Sequence, residues 1–327
     1  MLADRLARMR WTALLAAMVV ISVVLIWPKR PAQTDTSAVQ AGSAEASLGG
    51  WPPLNASSSA LGGAGGVPSA FASFHPNQWC RLDDGLDFAG FALPRRSSHG
   101  DSMVRMLRID PARYELKLLC ASAMKPAQTL TAAQWAGQAG LVAAINAGMF
   151  KRDGKTGTGL MLTKGHVNNP RPNEDKALLA FDPVRSSLSP AVIANLEQEP
   201  LGRLSRSRYQ TLIQGIRMVG AGRTNVWAQQ GRKWSTAAIG QDGAGRIVFM
   251  LCRSPYSVHD LTEMLLGLNI DLQRCMYCEG GPEAQLYIHS GQFTYNGFGS
   301  YETGFREDDA NDKPWPVPNV VGIAKRQ

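Results

Sequence analysis

The stretch MYCEGGPEAQLYI, residues 276–288, decides the reading of this chain. A short apolar segment runs into a carboxylate, Glu279. Gly280, Gly281 and Pro282 follow, then Glu283, then an alternating apolar run. Gly-Gly supplies positive φ without strain, so the stretch reads as strand, sharp turn, strand. Glu279 then stands at the end of a buried strand, where a carboxylate is costly unless it has a partner or a job. Taken alone, the pattern also fits an ordinary hairpin with a glutamate on its rim.

Working outward, Leu272 to Cys278 is preceded by a helix. Ser257 can cap it, and Leu261, Met264, Leu265 and Leu268 fall on one face at helical spacing. Residues 247–252 read as a strand after the turn Asp242-Gly243, so residues 247–278 form one strand, helix, strand unit. Upstream, Tyr114, Leu116, Leu118 and Cys120 alternate as a half-buried strand. Thr131 and Gln134 stand at capping-box spacing before a short helix that ends at Gly140. Residues 141–146 follow as a buried strand. Short strands dominate and helices are few, which predicts an α+β domain with a mixed, mainly antiparallel sheet.

The N-terminal part is different. Residues 11–27, WTALLAAMVVISVVLIW, are uninterruptedly apolar, with Arg5, Arg8 and Arg10 before them. This predicts a transmembrane signal anchor, with residues 1–10 as a cytoplasmic basic flank and the rest in the periplasm or outside the cell. Secretion after signal cleavage is the alternative. Residues 28–76 are rich in Ala, Ser, Gly and Pro and read as a flexible linker. Residues 77–327 are the folded domain. The formal net charge is +8. Seven basic residues between 201 and 241 (Arg203, Arg206, Arg208, Arg217, Arg223, Arg232, Lys233) face no Asp or Glu in that stretch. It suits an anionic partner, or is a solvated stretch whose counter-charges, such as the acidic run 302–312, lie elsewhere. Nucleic acid is a poor fit for an exported chain. Of the five cysteines, Cys275 and Cys278 form a CxxC that reads as a structural disulfide or buried thiols rather than zinc or redox chemistry. A pairing of Cys252 with one of them is expected. No histidine grouping has metal spacing, so neither metal nor cofactor is expected.

A second segment carries chemistry: INAGMFKRDGKTGTGLMLTKG, residues 145–165. A buried strand ends at Asn146, whose amide can both donate to and accept from a sugar. Ala147-Gly148 lets the backbone turn close to a ligand. The later glycines lack the GK[ST] and following helix of a nucleotide loop.

Together these segments resemble the phosphodiester glycosidase family, which includes bacterial exopolysaccharide-associated proteins. Asn146 to Phe150 with Gly157 to Leu160 is similar to its first signature. Gln214-Gly215 with Met218-Val219 resembles its second block. Ala238-Ile239-Gly240 and the helix from Ser257 follow in order, and CEGGPEAQLY matches its D-G-G block. The match covers roughly residues 114–323. The family's aspartate is here Glu279, its serine Glu283 and its proline Arg217. The longer side chain carries the carboxylate about 1 Å further, a displacement that matters to a positioned catalyst. The resemblance implies a hydrolase that cleaves a phosphate-linked sugar in an envelope or exopolysaccharide glycan. Glu279 would be base or nucleophile and Glu283 the second carboxylate. Asn146, Gly148, Gln214, Gly280 and Gly281 would line the sugar, and Arg217, Arg232 and Lys233 would bind phosphate. A non-catalytic glycan-binding or assembly protein of the same fold is the alternative.

Overall fold

The structure, a computed structural model, describes residues 75–204 and 207–327. The expected anchor, its basic flank and the linker up to residue 74 lie outside the described residues. No helix among the described residues is long and apolar enough to cross a membrane.

In chain order the strands are β1 (Cys80–Asp83), β2 (Leu86–Ala92), β3 (Met103–Ile109), β4 (Tyr114–Cys120), β5 (Ala143–Asn146), β6 (Met161–Thr163), β7 (His166–Asn169), β8 (Ala177–Pro183), β9 (Ala191–Asn195), β10 (Tyr209–Val219), β11 (Trp234–Asp242), β12 (Ile247–Tyr256), β13 (Leu272–Gly280), β14 (Gln285–Ser290), β15 (Phe293–Phe298) and β16 (Asn319–Lys325). Helix α1 (Ala132–Ala139) precedes β5, and α2 (Val258–Gly267) joins β12 to β13. Both helices start as their sequences predict. Thr131 accepts from the Gln134 amide while Gln134 returns a bond to the Thr131 amide, a complete capping box. Ser257 accepts from the Asp260 amide at 3.1 Å.

The strands form two sheets. The larger has eleven strands, ordered β1-β2-β3-β12-β11-β13-β10-β6-β7, with β8 also on β10 and β9 on β8. The smaller has five, ordered β15-β14-β5-β16-β4. Every pairing between these strands is antiparallel, so the mixed character expected of the sheet is not found among the described residues. The strand, helix, strand unit is present, but β12 and β13 flank β11 rather than each other.

Alternation along the strands decides the layers. Phe88, Leu107, Ala237 and Met276 of the larger sheet share one core with Leu116, Ile145, Leu286 and Val321 of the smaller. Met106, Ala238, Met250 and Tyr277, on the opposite face of the larger sheet, pack with Leu261 and Leu265 of α2. Trp135 and Ala136 of α1 pack with Ala144 and Val320 on the outer face of the smaller sheet. The architecture is therefore helix, sheet, sheet, helix.

This layering corrects two expectations. Residues 276–288 are not a hairpin. β13 belongs to the larger sheet, between β11 and β10, and β14 belongs to the smaller, between β15 and β5. The Gly280-Gly281 turn is a corner where the chain crosses between layers. The cysteines do not pair either; all five are free. Cys252 lies opposite Thr236 on β11, and Cys275 lies opposite Gly240. Four residues of strand separate those positions, about 13 Å, whereas a disulfide needs Cα atoms within about 7 Å. Cys275 and Cys278 sit in different cores on opposite faces of β13.

Candidate functional site

The corner gathers the carboxylates. Glu279, next to last in β13, is only 7% exposed, with the Gly280 amide donating to its Oε1 at 3.1 Å. Gly280 is extended, and Gly281 turns the chain at φ +65°. A single 3₁₀ turn over Gly281–Glu283 leads into β14, and Glu283 is buried too. Asn146, at the end of β5, clamps this turn. Its amide nitrogen donates to the Glu283 carbonyl at 2.9 Å, and its oxygen accepts from the Gln285 amide at 2.7 Å. The strand-end asparagine thus shapes the site by holding backbone.

A third carboxylate arrives from a distant segment. Trp234 at the start of β11 forms an isolated bridge with Glu302. Ser235 ties the same two segments, donating its amide to the Tyr301 carbonyl and accepting the Ser300 amide at its hydroxyl. Glu302 is buried, and its Oε2 lies 2.6 Å from where a Cβ on Gly281 would sit. Over the neighbouring Gly280, the Tyr277 hydroxyl lies 2.2 Å and the Trp234 ring 2.6 Å from the equivalent point. The two glycines are therefore required by close approach, at Gly281 also by backbone conformation.

Tyr277 reports the electrostatics. Burial pushes its hydroxyl well above the ordinary tyrosine range, and Glu279, Glu302, Cys278 and Glu283 push in the same direction. The phenol is neutral and a hydrogen-bond donor. Trp227 and Trp234 flank it at ring-centroid distances of 5.8 and 6.4 Å. The Trp234 indole nitrogen is buried with no hydrogen-bond partner.

The structure brings some of the sequence-predicted residues together and separates others. Glu279, Gly280, Gly281, Glu283 and Asn146 meet at the corner. Gly148, at φ +151°, lies two residues beyond Asn146 with open space on its Cα. Arg232 and Lys233 are exposed at its rim. Lys233 pairs its backbone with Thr303 beside Glu302, and Arg232 donates to the Thr303 carbonyl at 3.3 Å. Two residues make their contacts away from the corner. The Gln214 amide is fully engaged with backbone at Leu160, Asn173 and Asp175, so it secures a loop and has no capacity left for a ligand. Arg217 is committed to Asn195 and to Glu197, at 2.7 Å from the latter. Part of the acid-free stretch thus finds its counter-charge just outside itself. Glu302, Tyr277 and Trp234 were not predicted. Glu302 stood only in an acidic run, and nothing local marks its pairing with Trp234.

The thiols near the corner, Cys275 and Cys278, are buried and unpaired with each other. Burial, then Cys275 and Glu279, hold the Cys278 thiol far above the usual range, and burial does the same to Cys275. Among the described residues no three or more His, Cys, Asp or Glu side chains are arranged as a metal site.

The family profile for phosphodiester glycosidases matches residues 139–324. This span starts at the end of α1 and contains the corner, Asn146 and Glu302. The catalytic domain of zebrafish N-acetylglucosamine-1-phosphodiester alpha-N-acetylglucosaminidase, auto-inhibited by its pro-peptide, has a similar fold. The two share 13% identity and a TM-score of 0.53, over 74% of this chain and 84% of that one. A hypothetical protein from Synechocystis aligns with a TM-score of 0.49 at 15% identity, over 78% of this chain and 65% of that one. No curated protein gives a sequence match.

Proposed function

We propose, because this chain belongs to the phosphodiester glycosidase family, that the corner hydrolyses a sugar-1-phosphodiester bond. The observation that carries the reading is the burial of Glu279 and Glu283 on either side of one Gly-Gly turn, with the Glu302 carboxylate brought against Gly281 from a distant segment. Buried carboxylates need a partner or a job, and three of them on one turn and its neighbour suit a site that handles protons. Cleavage at the anomeric carbon releases a phosphate monoester, a weak base that leaves without strong protonation. The remaining needs are a carboxylate at the anomeric centre and cations at the phosphate. Glu279 takes the first role as base or nucleophile, with Glu283 and Glu302 as partner carboxylates. Arg232 and Lys233, on the rim beside Glu302, take the second. The acids thus face the sugar and the cations face the anion.

The zebrafish relative's name supplies the first substrate to try, an α-linked N-acetylglucosamine-1-phosphodiester. The apolar run at residues 11–27 supports an extracytoplasmic setting, and with it an envelope or exopolysaccharide glycan as the natural substrate. The purified protein is expected to release sugar from that phosphodiester. Glu279→Gln is expected to lower kcat by at least 100-fold, with the circular dichroism spectrum and unfolding midpoint retained. Equal turnover by both proteins would remove Glu279 from the chemistry. A second reading, a glycan-binding protein without turnover, is favoured by one observation: glutamate stands where the family has aspartate. Saturable binding of the phosphodiester by both proteins, with no product from either, would select it.

A further inference from the structure

Just beyond Asn146, Gly148 leads into a hairpin over residues 149–158, closed by an isolated antiparallel bridge between Phe150 and Gly157. The Lys151 amide donates to the Thr156 carbonyl at 2.7 Å, and the Thr158 amide to the Met149 carbonyl at 3.0 Å. The tip reads Lys151, Arg152, Asp153, Gly154, Lys155. Asp153 folds it, its carboxylate accepting from the Lys155 and Thr156 amides and from the Thr156 hydroxyl, while Gly154 turns at φ +66°. The hairpin is also fixed from outside. Asn168 accepts from the Gly157 amide at 2.7 Å and donates to the Lys155 carbonyl at 2.9 Å. Asn319 donates to the same carbonyl at 3.1 Å, and its own carbonyl accepts from the Ala147 amide. At the base, Met149 packs against the cluster that contains Tyr277, as Trp234 does. Lys151, Arg152 and Lys155 are exposed, and among the described residues none of them makes an ion pair or a side-chain hydrogen bond. Asp153 is the one acid in the hairpin. The neighbouring segments, 121–126, 163–171 and 173–176, do not neutralise it: Lys125, Arg171 and Lys176 stand against Glu174 and Asp175, and Lys164 is paired with Asp182 at 2.9 Å.

We propose that this hairpin binds a second phosphate of the substrate chain, so that the sugar in the corner is bracketed by two phosphodiesters. The proposal rests on the hydrolase reading above and narrows its substrate to a polymer of sugars joined through phosphates. Two sets of cations serve the corner, one from each sheet. Arg232 and Lys233 precede β11 of the larger sheet, and the hairpin follows β5 of the smaller. The Gly280-Gly281 turn crosses between the sheets and is met from the β11 side by Trp234 and from the β5 side by Asn146. The first set holds the phosphate of the bond that is cut. The second set then meets the next linkage of the same chain, and in a repeating chain that linkage is again a phosphodiester. Unpaired cations on a fixed backbone attract such a group, and Arg152 can hold it with two parallel hydrogen bonds. Two contacts on one chain add affinity with no change at the corner itself.

The test uses the whole protein carrying Glu279→Gln, so that nothing is consumed during calorimetric titration. The probes are a synthetic tetramer of N-acetylglucosamine joined by 1-phosphodiesters, the methyl diester of N-acetylglucosamine-1-phosphate, and tetragalacturonate. The tetramer is expected to bind at least tenfold more tightly than the methyl diester. Lys151→Gln, Arg152→Gln and Lys155→Gln together are expected to remove that advantage and to leave the affinity for the methyl diester within twofold. The three side chains are exposed and unpaired, so the unfolding midpoint should be kept. Raising NaCl from about 50 mM to about 500 mM should weaken tetramer binding more in the parent than in the triple variant. Failure of the tetramer to bind, or equal tetramer affinity in parent and variant, would overturn the second site. An equal loss for tetramer and methyl diester would place the three cations at the first phosphate and overturn it as well. Tetragalacturonate binding as tightly as the tetramer would overturn the preference for phosphate. Tetramer binding as expected, with no cleavage by the protein that retains Glu279, would instead count against the hydrolase reading alone.

Discussion

At Gly280 any side chain would meet the Tyr277 hydroxyl and the Trp234 ring, and at Gly281 it would meet the Glu302 carboxylate in a backbone conformation that L residues rarely adopt. A methyl at Gly281 would displace the Glu302 carboxylate, and one at Gly280 would displace Tyr277 or Trp234 beside it. Gly280→Ala is expected to cost about 1–3 kcal/mol, the usual effect of overpacking, and to abolish turnover of the phosphodiester. Urea unfolding and the sugar-release assay would check this; a variant with the parent's midpoint and rate would show that the corner is not close-packed. The sequence discloses much of this site. The Gly-Gly pair after a buried strand, the carboxylates either side of it and the strand-end Asn146 are all local patterns. By residue type the Asn146 amide suits a sugar, and in the structure it donates to the Glu283 carbonyl and accepts from the Gln285 amide. Glu302 escaped notice because its partner, Trp234, is far away in sequence and no local periodicity records such a bridge.

Elements whose causes are local were legible. The capping box of α1 is complete, with Thr131 and Gln134 each serving the other's backbone. Thr131→Ala is expected to destabilise the protein by about 1 kcal/mol, read from the urea midpoint, without change in KM. No loss would mean that packing of Trp135 and Ala136 alone secures this helix. β13 shows where local reading fails. Its CxxC invites a disulfide or a metal, yet alternation sends Cys275 to the core under α2 and Cys278 to the core between sheets. Both thiols are buried and pushed far above their ordinary range. Cys120, also buried, is pushed to about 12. Cys80 alone is partly exposed. Titration with an aromatic disulfide reagent at pH 8 is therefore expected to modify Cys80 slowly and the other four only after unfolding. Fast loss of more than one thiol in the native protein would contradict the burial of β13. The Gly-Gly stretch is strand, sharp turn, strand as its sequence predicts, but the same pattern also fits a hairpin, for a related reason. A local pattern shows that the chain reverses or bends, while sheet membership depends on strands far away.

At the scale of the whole molecule the two sheets are joined by their shared core and also by charge. Asp83 ends β1 of the larger sheet. Its carboxylate accepts from the Tyr114 hydroxyl at 2.9 Å and from the Lys325 ammonium at 2.7 Å, both in the smaller sheet. Sequence reading found the strand of Tyr114, but nothing in it could place residues 83, 114 and 325 together. Lys325, then the Asp84 amide and Tyr114, hold the Asp83 carboxyl at about 2, below its ordinary value of 3.8. The sign follows from linkage. A carboxyl whose folded value is depressed contributes stability that is fully present above the unfolded value, and that contribution disappears as pH falls from about 4 through about 2. Lys325 is 61% exposed, so solvent screening limits the contribution to about 1 kcal/mol or less. Asp83→Asn is expected to lower the urea midpoint at pH 6. The gap between variant and parent should narrow progressively between pH 4 and pH 2, and narrow also at pH 6 in 1 M NaCl. A gap that stayed constant down to pH 2 would show that Asp83 acts by shape and neutral hydrogen bonding, with no part for its charge in joining the sheets.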